Sequence, residues 1–185
     1  MIKEATHDAE RRMKSAIQSL KDDLVGIRTG RANPGLVEKL SVEYYGSPVP
    51  LIQLATISVP EPRQLLIKPF DAGSIKDIER AIQSSDLGLT PLSDGKVIRL
   101  NLPALTEERR HELKKFVNNR LEEARISIRN VRRDTNKDIR EFESEKLISE
   151  DELKDGEDKV QELTDKYIEE IGKIGEEKEK EIMEI

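Results

Sequence analysis

The sequence has no cysteine, which excludes disulfides, thiolate metal sites and cysteine nucleophiles. Tryptophan is absent too, and there are only three Phe and three Tyr, so an aromatic platform for stacking single-stranded bases is not supported. Apolar runs long enough to span a bilayer are missing. The opening Met1-Ile2-Lys3-Glu4-Ala5-Thr6 lacks an apolar signal region. These absences lead us to expect a soluble, cytoplasmic protein without membrane association. Only two histidines occur, His7 and His111, far apart in sequence. There is no Walker A loop, no dinucleotide fingerprint and no metal-ligand spacing. The expectation is therefore a protein that is not an enzyme, with no catalytic residues, no cofactor and no metal.

What is present is charge. Hydrophobic residues make up 35% of the chain and charged residues 38%, too little apolar material for one large core. Disorder is the competing reading of such a composition. It is opposed by a net charge of only −6 over 185 residues and by strict apolar periodicity. Ile2, Ala5, Ala9, Met13, Ala16, Leu20, Leu24 and Ile27 mark one helix face. Thr106 begins a second helical stretch as N-cap, with apolar positions at Leu113, Val117, Leu121, Ala124, Ile128, Val131, Ile139 and Phe142 and with Thr135 on the same stripe. Ser149 and Glu152 form a capping box. A near-heptad seam follows at Leu153, Val160, Leu163, Tyr167, Ile171 and Ile174.

All eight prolines lie between Pro34 and Pro103, and the texture there changes. Leu40–Tyr45, Leu51–Val59, Leu65–Phe70 and Lys96–Leu102 read as strands, with a turn at Gly46–Pro50. Ser74 reads as the N-cap of a short helix over 75–84, with Asp77 at the capping-box position and Gly88 ending the region. The pattern predicts an α+β protein of two domains. Residues 1–29 and 106–185 form a long, antiparallel, discontinuous three-helix bundle, and 30–105 form a small inserted β/α/β domain. Two crossings join them, near 29–35 and 102–105. Thr29, Gly30, Arg31, Ala32, Pro34, Pro103 and Ala104 are candidate hinge residues; a rigid pair of loops is the alternative.

The charge is unevenly spread. Residues 106–140 hold 11 Lys/Arg against 7 Asp/Glu, whereas 141–185 hold 7 against 18. At about 100° per residue, Arg125, Arg129 and Arg132 share one sector, with Arg133 and Arg140 beside it, roughly a quarter turn from the apolar seam. The guanidinium fork matches phosphate geometry, so a cationic edge can bind a polyanion even when the whole chain is acidic. Folded RNA, recognised by shape and phosphate, suits this edge better than single strands. Ordinary surface ion pairs, such as Arg129 with Asp134 or Glu122 with Arg125, are the competing reading. Arg28 and Arg31, near the end of the first helix, extend the basic surface or simply complement the helix dipole.

Several motifs are colinear with a known family. Ile27-Arg28-Thr29-Gly30-Arg31-Ala32, Val42-Glu43-Tyr44-Tyr45-Gly46, Ser85-Asp86-Leu87-Gly88-Leu89, Leu105-Thr106-Glu107-Glu108-Arg109-Arg110 and Arg129-Asn130-Val131-Arg132-Arg133-Asp134 resemble bacterial ribosome recycling factor. Ser127 and Thr135 depart from it, standing where small apolar residues are more usual. The resemblance implies an L-shaped, transfer-RNA-like protein. It implies binding to the post-termination ribosome, chiefly to large-subunit ribosomal RNA, and separation of the subunits with elongation factor G and GTP. Carried onto matching positions, the ribosomal RNA contacts are Arg28, Arg31, Arg110, Arg129 and Arg132, with Arg133 in the same motif. A monomer is expected. The rival is a helical protein-binding adaptor without RNA binding, working through the seam after Ser149.

Overall fold

The computed structural model describes residues 1–27 and 29–184. In chain order the elements are α1 (Ile2–Val25), β1 (Ser41–Tyr44), β2 (Ser47–Pro50), β3 (Ala55–Glu61), β4 (Gln64–Pro69), α2 (Ile75–Gln83), β5 (Pro91–Ser93), β6 (Ile98–Asn101), α3 (Glu107–Ser144) and α4 (Glu150–Met183). They group into two compact units, Met1–Leu24 with His111–Lys180, and Val25–Arg110 with the chain from Glu181 onward. The edges of the units thus lie within helices. Val25 goes with the small unit because Gly35 packs directly on it: a Cβ at Gly35 would stand 2.2 Å from Val25 Cγ1.

The helical unit is built from α1, α3 and α4. At the start of α3, Thr106 Oγ1 accepts the Arg109 N–H at 3.1 Å. At 38 residues without an internal Gly or Pro, α3 runs to about 57 Å. α4 opens on the expected reciprocal box: Glu152 N–H donates to Ser149 Oγ at 3.2 Å, and Ser149 N–H donates to Glu152 Oε2 at 2.8 Å. Side-chain pairs fix the helix directions. Arg132 meets Gln161, Arg140 meets Glu157 and Lys114 meets Glu179, so α3 and α4 are antiparallel. Arg12 meets Asp134 and Arg120 meets Asp23, so α1 and α3 are antiparallel as well.

Most of the apolar stripes predicted for α1 and α3 is buried: Ala9, Met13, Leu20 and Leu24 on α1, and Leu113, Val117, Leu121, Ala124, Ile128, Val131 and Ile139 on α3. Two positions are corrected: Ile17, not Ala16, is the buried residue of its turn, and Phe142 is only half-buried. On α4 the buried line differs from the predicted one. It runs Gly156, Val160, Thr164, Tyr167, Ile171, Gly175, Lys178 and Ile182, while Leu153, Leu163 and Ile174 are only half-buried. Glycine, threonine and lysine do not read as apolar, yet the glycines permit close approach. A Cβ at Gly175 would lie 2.4 Å from Leu121 Cδ1, and one at Gly156 would lie 3.4 Å from Ile139. The α4 seam is therefore consumed within the unit, which removes the feature that favoured an adaptor.

One polar group sits in this core by design of its neighbours. Tyr167 is 3% exposed and donates its hydroxyl to Glu10 Oε1 at 3.0 Å. Burial first, then the Glu10 carboxylate, push the phenol up to about 12. Because the folded value lies above the unfolded value of 10, the stabilisation is complete below pH 10 and is lost as pH rises through 12. We expect unfolding free energy to fall by about 2–3 kcal/mol across that window. Tyr167→Phe should abolish this component of the fall in alkaline denaturant titrations; an unchanged difference between pH 10 and 12 would refute the assignment.

The small unit places α2 against two antiparallel sheets, β1-β2 and β3-β4-β6-β5. Ile75, Ile78 and Ile82 of α2 join Val42, Leu65, Ile67, Ile98 and Leu100 in its core. Three predicted details are corrected. Ser47–Pro50, read as turn, is strand β2; its Pro48 and Pro50 are tolerated because the hairpin has only two strands and each is an edge. Leu51–Val59, read as one strand, divides into a 3-10 turn at Leu51–Gln53 and β3 beginning at Ala55. Ser74 makes no side-chain cap; Asp71 accepts the Gly73 N–H at 2.9 Å and Ser74 donates to the Asp71 carbonyl at 2.7 Å. The short edge strand β5 escaped the sequence pattern, since three residues opening on proline carry no alternation. Among the described residues no helix is long and apolar enough to cross a membrane.

Candidate functional site

The arginines come together on α3 because the helix turns its buried stripe, Ile128–Val131–Thr135–Ile139, into the core. That leaves Arg129, Asn130, Arg132, Arg133, Asn136 and Arg140 around one shallow depression of about 340 Å³. Four guanidinium groups in so small a space form a dense positive surface on an acidic protein. Their partners differ, and the differences rank them. Glu122 takes both Arg129, at 3.0 Å, and Arg125, at 3.4 Å. The Arg129 hydrogen bond is the main cause that holds the Glu122 carboxyl below its usual range. Arg140 is tied to Glu157 at 2.6 Å. Among the described residues, Arg132 meets only the neutral Gln161 oxygen, at 3.2 Å. Among the described residues Arg133 has no hydrogen-bond or ion-pair partner. Arg132 and Arg133 are thus the guanidiniums most available to an incoming anion. Asn136 Oδ1 is buried there without a hydrogen-bond partner.

The sequence missed a contribution from α1. Arg11 and Arg12 line a neighbouring depression of about 500 Å³ with Asn130, Arg133 and Asp134. Arg12 reaches Asp134 Oδ2 at 3.0 Å, and Arg11 pairs with Asp8. Asp134 is therefore engaged by Arg12 rather than by Arg129. No local spacing reveals this, because it depends on how α1 and α3 are packed; the adjacent arginines were the only available signal.

The remaining predicted residues lie elsewhere. Arg31 is exposed and pairs with Glu184 at 3.1 Å, an exposed pair of little energetic weight. Arg110 is half-buried, and its Nε has no hydrogen-bond partner. Both line a cavity of about 470 Å³ in the small unit, with Thr29, Gly30, Arg63 and Leu105. Arg28 falls outside the described residues. Of the candidate hinge residues, Thr29 and Ala32 are buried, Gly30 holds φ +79°, Pro34 opens a 3-10 turn, and Pro103 and Ala104 are exposed. Among the described residues no group of three or more His, Cys, Asp or Glu could hold a metal ion.

Fold and surface together define a two-unit α+β protein with a cationic helix edge. A model of the ribosome recycling factor family matches residues 20–183. Ribosome-recycling factors of Symbiobacterium thermophilum and Halalkalibacterium halodurans are each 55% identical over 185 residues, the full length of both chains. A solution structure of ribosome recycling factor is 48% identical with a TM-score of 0.82, covering 100% of this chain and 98% of that one. The T. thermophilus factor is 42% identical with a TM-score of 0.72 over the whole of both chains; it is described, with E. coli elongation factor G, as bound to the E. coli post-termination complex. This chain belongs to the ribosome recycling factor family. It is a translation factor and not an enzyme.

Proposed function

We propose that the chain binds the post-termination ribosome in the cytoplasm as a monomer. The α3 edge lies on large-subunit ribosomal RNA, and elongation factor G with GTP drives the small unit so that the subunits separate. The observation that carries this reading is the gathering of Arg129, Arg132, Arg133 and Arg140 around one depression on a single long helix. Phosphate oxygens accept the paired donors of each guanidinium, and a rigid helix sets their spacing. Arg31 and Arg110 supply a second set of donors from the small unit, and Arg28 is assigned with them from its place in the motif. A relative described on the post-termination complex with elongation factor G supports the same partners.

The lever requires a pivot. Ala32 N–H donates to the Pro62 carbonyl at 2.7 Å, and Leu102 N–H donates to the Arg63 carbonyl at 2.8 Å. Both crossings are thereby pinned to the turn between β3 and β4. Ala32 and Leu102 are thus tied to the sheet, and the proposed swing falls on the parts of the crossings left outside those bonds, Thr29, Gly30 and Arg31 on one side and Pro103 and Ala104 on the other, toward the small unit's edges at Val25 and Arg110.

The test is subunit splitting by purified chain, elongation factor G and GTP on post-termination ribosomes. The reading expects splitting that requires all three components; ribosomes that stay intact would overturn it. A finer expectation concerns Glu122, which occupies two of the arginines. Glu122→Gln should tighten ribosome binding a few-fold in pelleting assays, because Arg129 and Arg125 no longer leave a carboxylate in order to meet phosphate. Weaker binding would show that Glu122 positions the arginines instead of competing for them.

A further inference from the structure

The cationic edge does not stop at α3. The depression ringed by arginines and the groove of about 500 Å³ between α1 and α3 share two lining residues, Asn130 and Arg133. They form one continuous track within the helical unit. α1 brings Arg11 and Arg12 to the groove, and Ser15 of α1 and Ser127 of α3 line it as well. Side chains this small leave a channel in place of a ridge, and their hydroxyls donate to an oxygen acceptor.

The charges around the groove leave it positive. Three arginines line it against one carboxylate, Asp134, which Arg12 already holds at 3.0 Å. Asp8, one turn before Arg12 on α1, is paired with Arg11. One turn beyond Arg133 and Asp134 on α3, Lys137 and Asp138 cancel. Toward the other end, Asp23 and Glu123 are both held by Arg120. Glu10 and Lys14 pair with each other, and Glu10 accepts from Tyr167 of α4. Arg133 is left with no carboxylate of its own. The pairs of Arg11 and Arg12 are solvent-accessible, with side chains 71% and 40% exposed. Such pairs carry little energetic weight, so a phosphate displaces those carboxylates at small cost.

Continuity and chemistry select the occupant. The apolar residues of the lining are Ala16 and Val131, and Val131 is buried, so the groove offers a protein partner no large apolar anchor. Phosphates recur along a nucleic-acid strand, and a strand seated on Arg132 and Arg133 carries further phosphates past Arg133. We propose that the α1–α3 groove is a second phosphate-binding site, in which Arg11 and Arg12 hold the backbone of an RNA strand that runs on from the α3 edge over Arg133. The proposal rests on the ribosomal reading and extends its contact surface to a second helix.

Ribosome pelleting of the full chain across a salt series tests it. Arg11→Gln should weaken binding about three- to ten-fold and make the slope of log affinity against log salt shallower by about one. Arg11→Gln with Arg12→Gln should make it shallower by about two. Arg11 stands off the buried stripe, so its substitution should leave the thermal midpoint in place, and it decides the matter alone where the Arg12 change loosens the α1–α3 packing. Lys173→Gln removes the same charge from an exposed site on α4 and should leave affinity and slope unchanged. Unchanged binding in Arg11→Gln and in the double variant, beside weakened binding in Arg132→Ala, would overturn the groove and leave the ribosomal reading standing. An equal loss in Lys173→Gln would also overturn it, because net charge alone would then explain the effect. Unchanged binding in Arg132→Ala as well would overturn both.

Discussion

Replacing Arg132 with alanine is expected to weaken ribosome binding by about 1–3 kcal/mol, on the order of 5- to 150-fold. The magnitude follows from what Arg132 surrenders on binding. Its partner in the free protein is the neutral Gln161 oxygen at 3.2 Å, so little is lost when the guanidinium turns to phosphate. Arg129 must first leave Glu122, and Arg129→Ala should therefore cost less. Stability should barely change in either variant, because both residues stand off the buried stripe. Equilibrium pelleting with ribosomes, beside a thermal melt, reads both quantities. Unchanged affinity for Arg132→Ala would remove the residue from the interface.

Ile128→Ala should do the reverse. Ile128 is fully buried, one residue from Arg129 on the same helix. Removing its methylenes leaves a cavity beneath the arginine edge and should cost about 2–5 kcal/mol of stability. For a chain of this length that corresponds to a drop of roughly 4–20 °C in melting midpoint. Ribosome affinity measured well below the midpoint should stay near that of the unaltered chain, since the guanidinium groups still project from the same helix. A large loss of affinity in the folded variant would mean that core packing, not merely the arginine chemistry, sets the interface. The two substitutions together separate the helix's inner face from its outer one.

Much of this organisation is legible in the residues. The steps of three and four at Leu113, Val117, Leu121, Ala124 and Ile128 identify the buried face of α3, and that face dictates where Arg129, Arg132 and Arg133 must point. The caps at Thr106 and Ser149 are equally local, because a hydroxyl three residues from an N–H donor needs no distant partner. The α4 seam is less legible, since Gly156, Gly175 and Lys178 are buried by the shapes of neighbouring helices rather than by hydrophobicity. The same holds for Arg11 and Arg12, which reach the site only through tertiary packing. Pro48 and Pro50 misled for another reason: proline argues against a strand in general, yet a two-stranded hairpin leaves edge positions open to it. The family likeness implied what periodicity does not contain, namely the ribosome and elongation factor G as partners.

The central claim is that the α3 arginines hold ribosomal RNA phosphates, and phosphate binding has a direct signature. Each contact releases condensed counterions, so the logarithm of affinity falls linearly with the logarithm of salt concentration. Ribosome binding measured across a salt series should give a steep negative slope for the unaltered chain. In the Arg129→Ala, Arg132→Ala double variant the slope should be shallower by about two, one for each lost contact. Identical slopes in the two proteins would contradict the account.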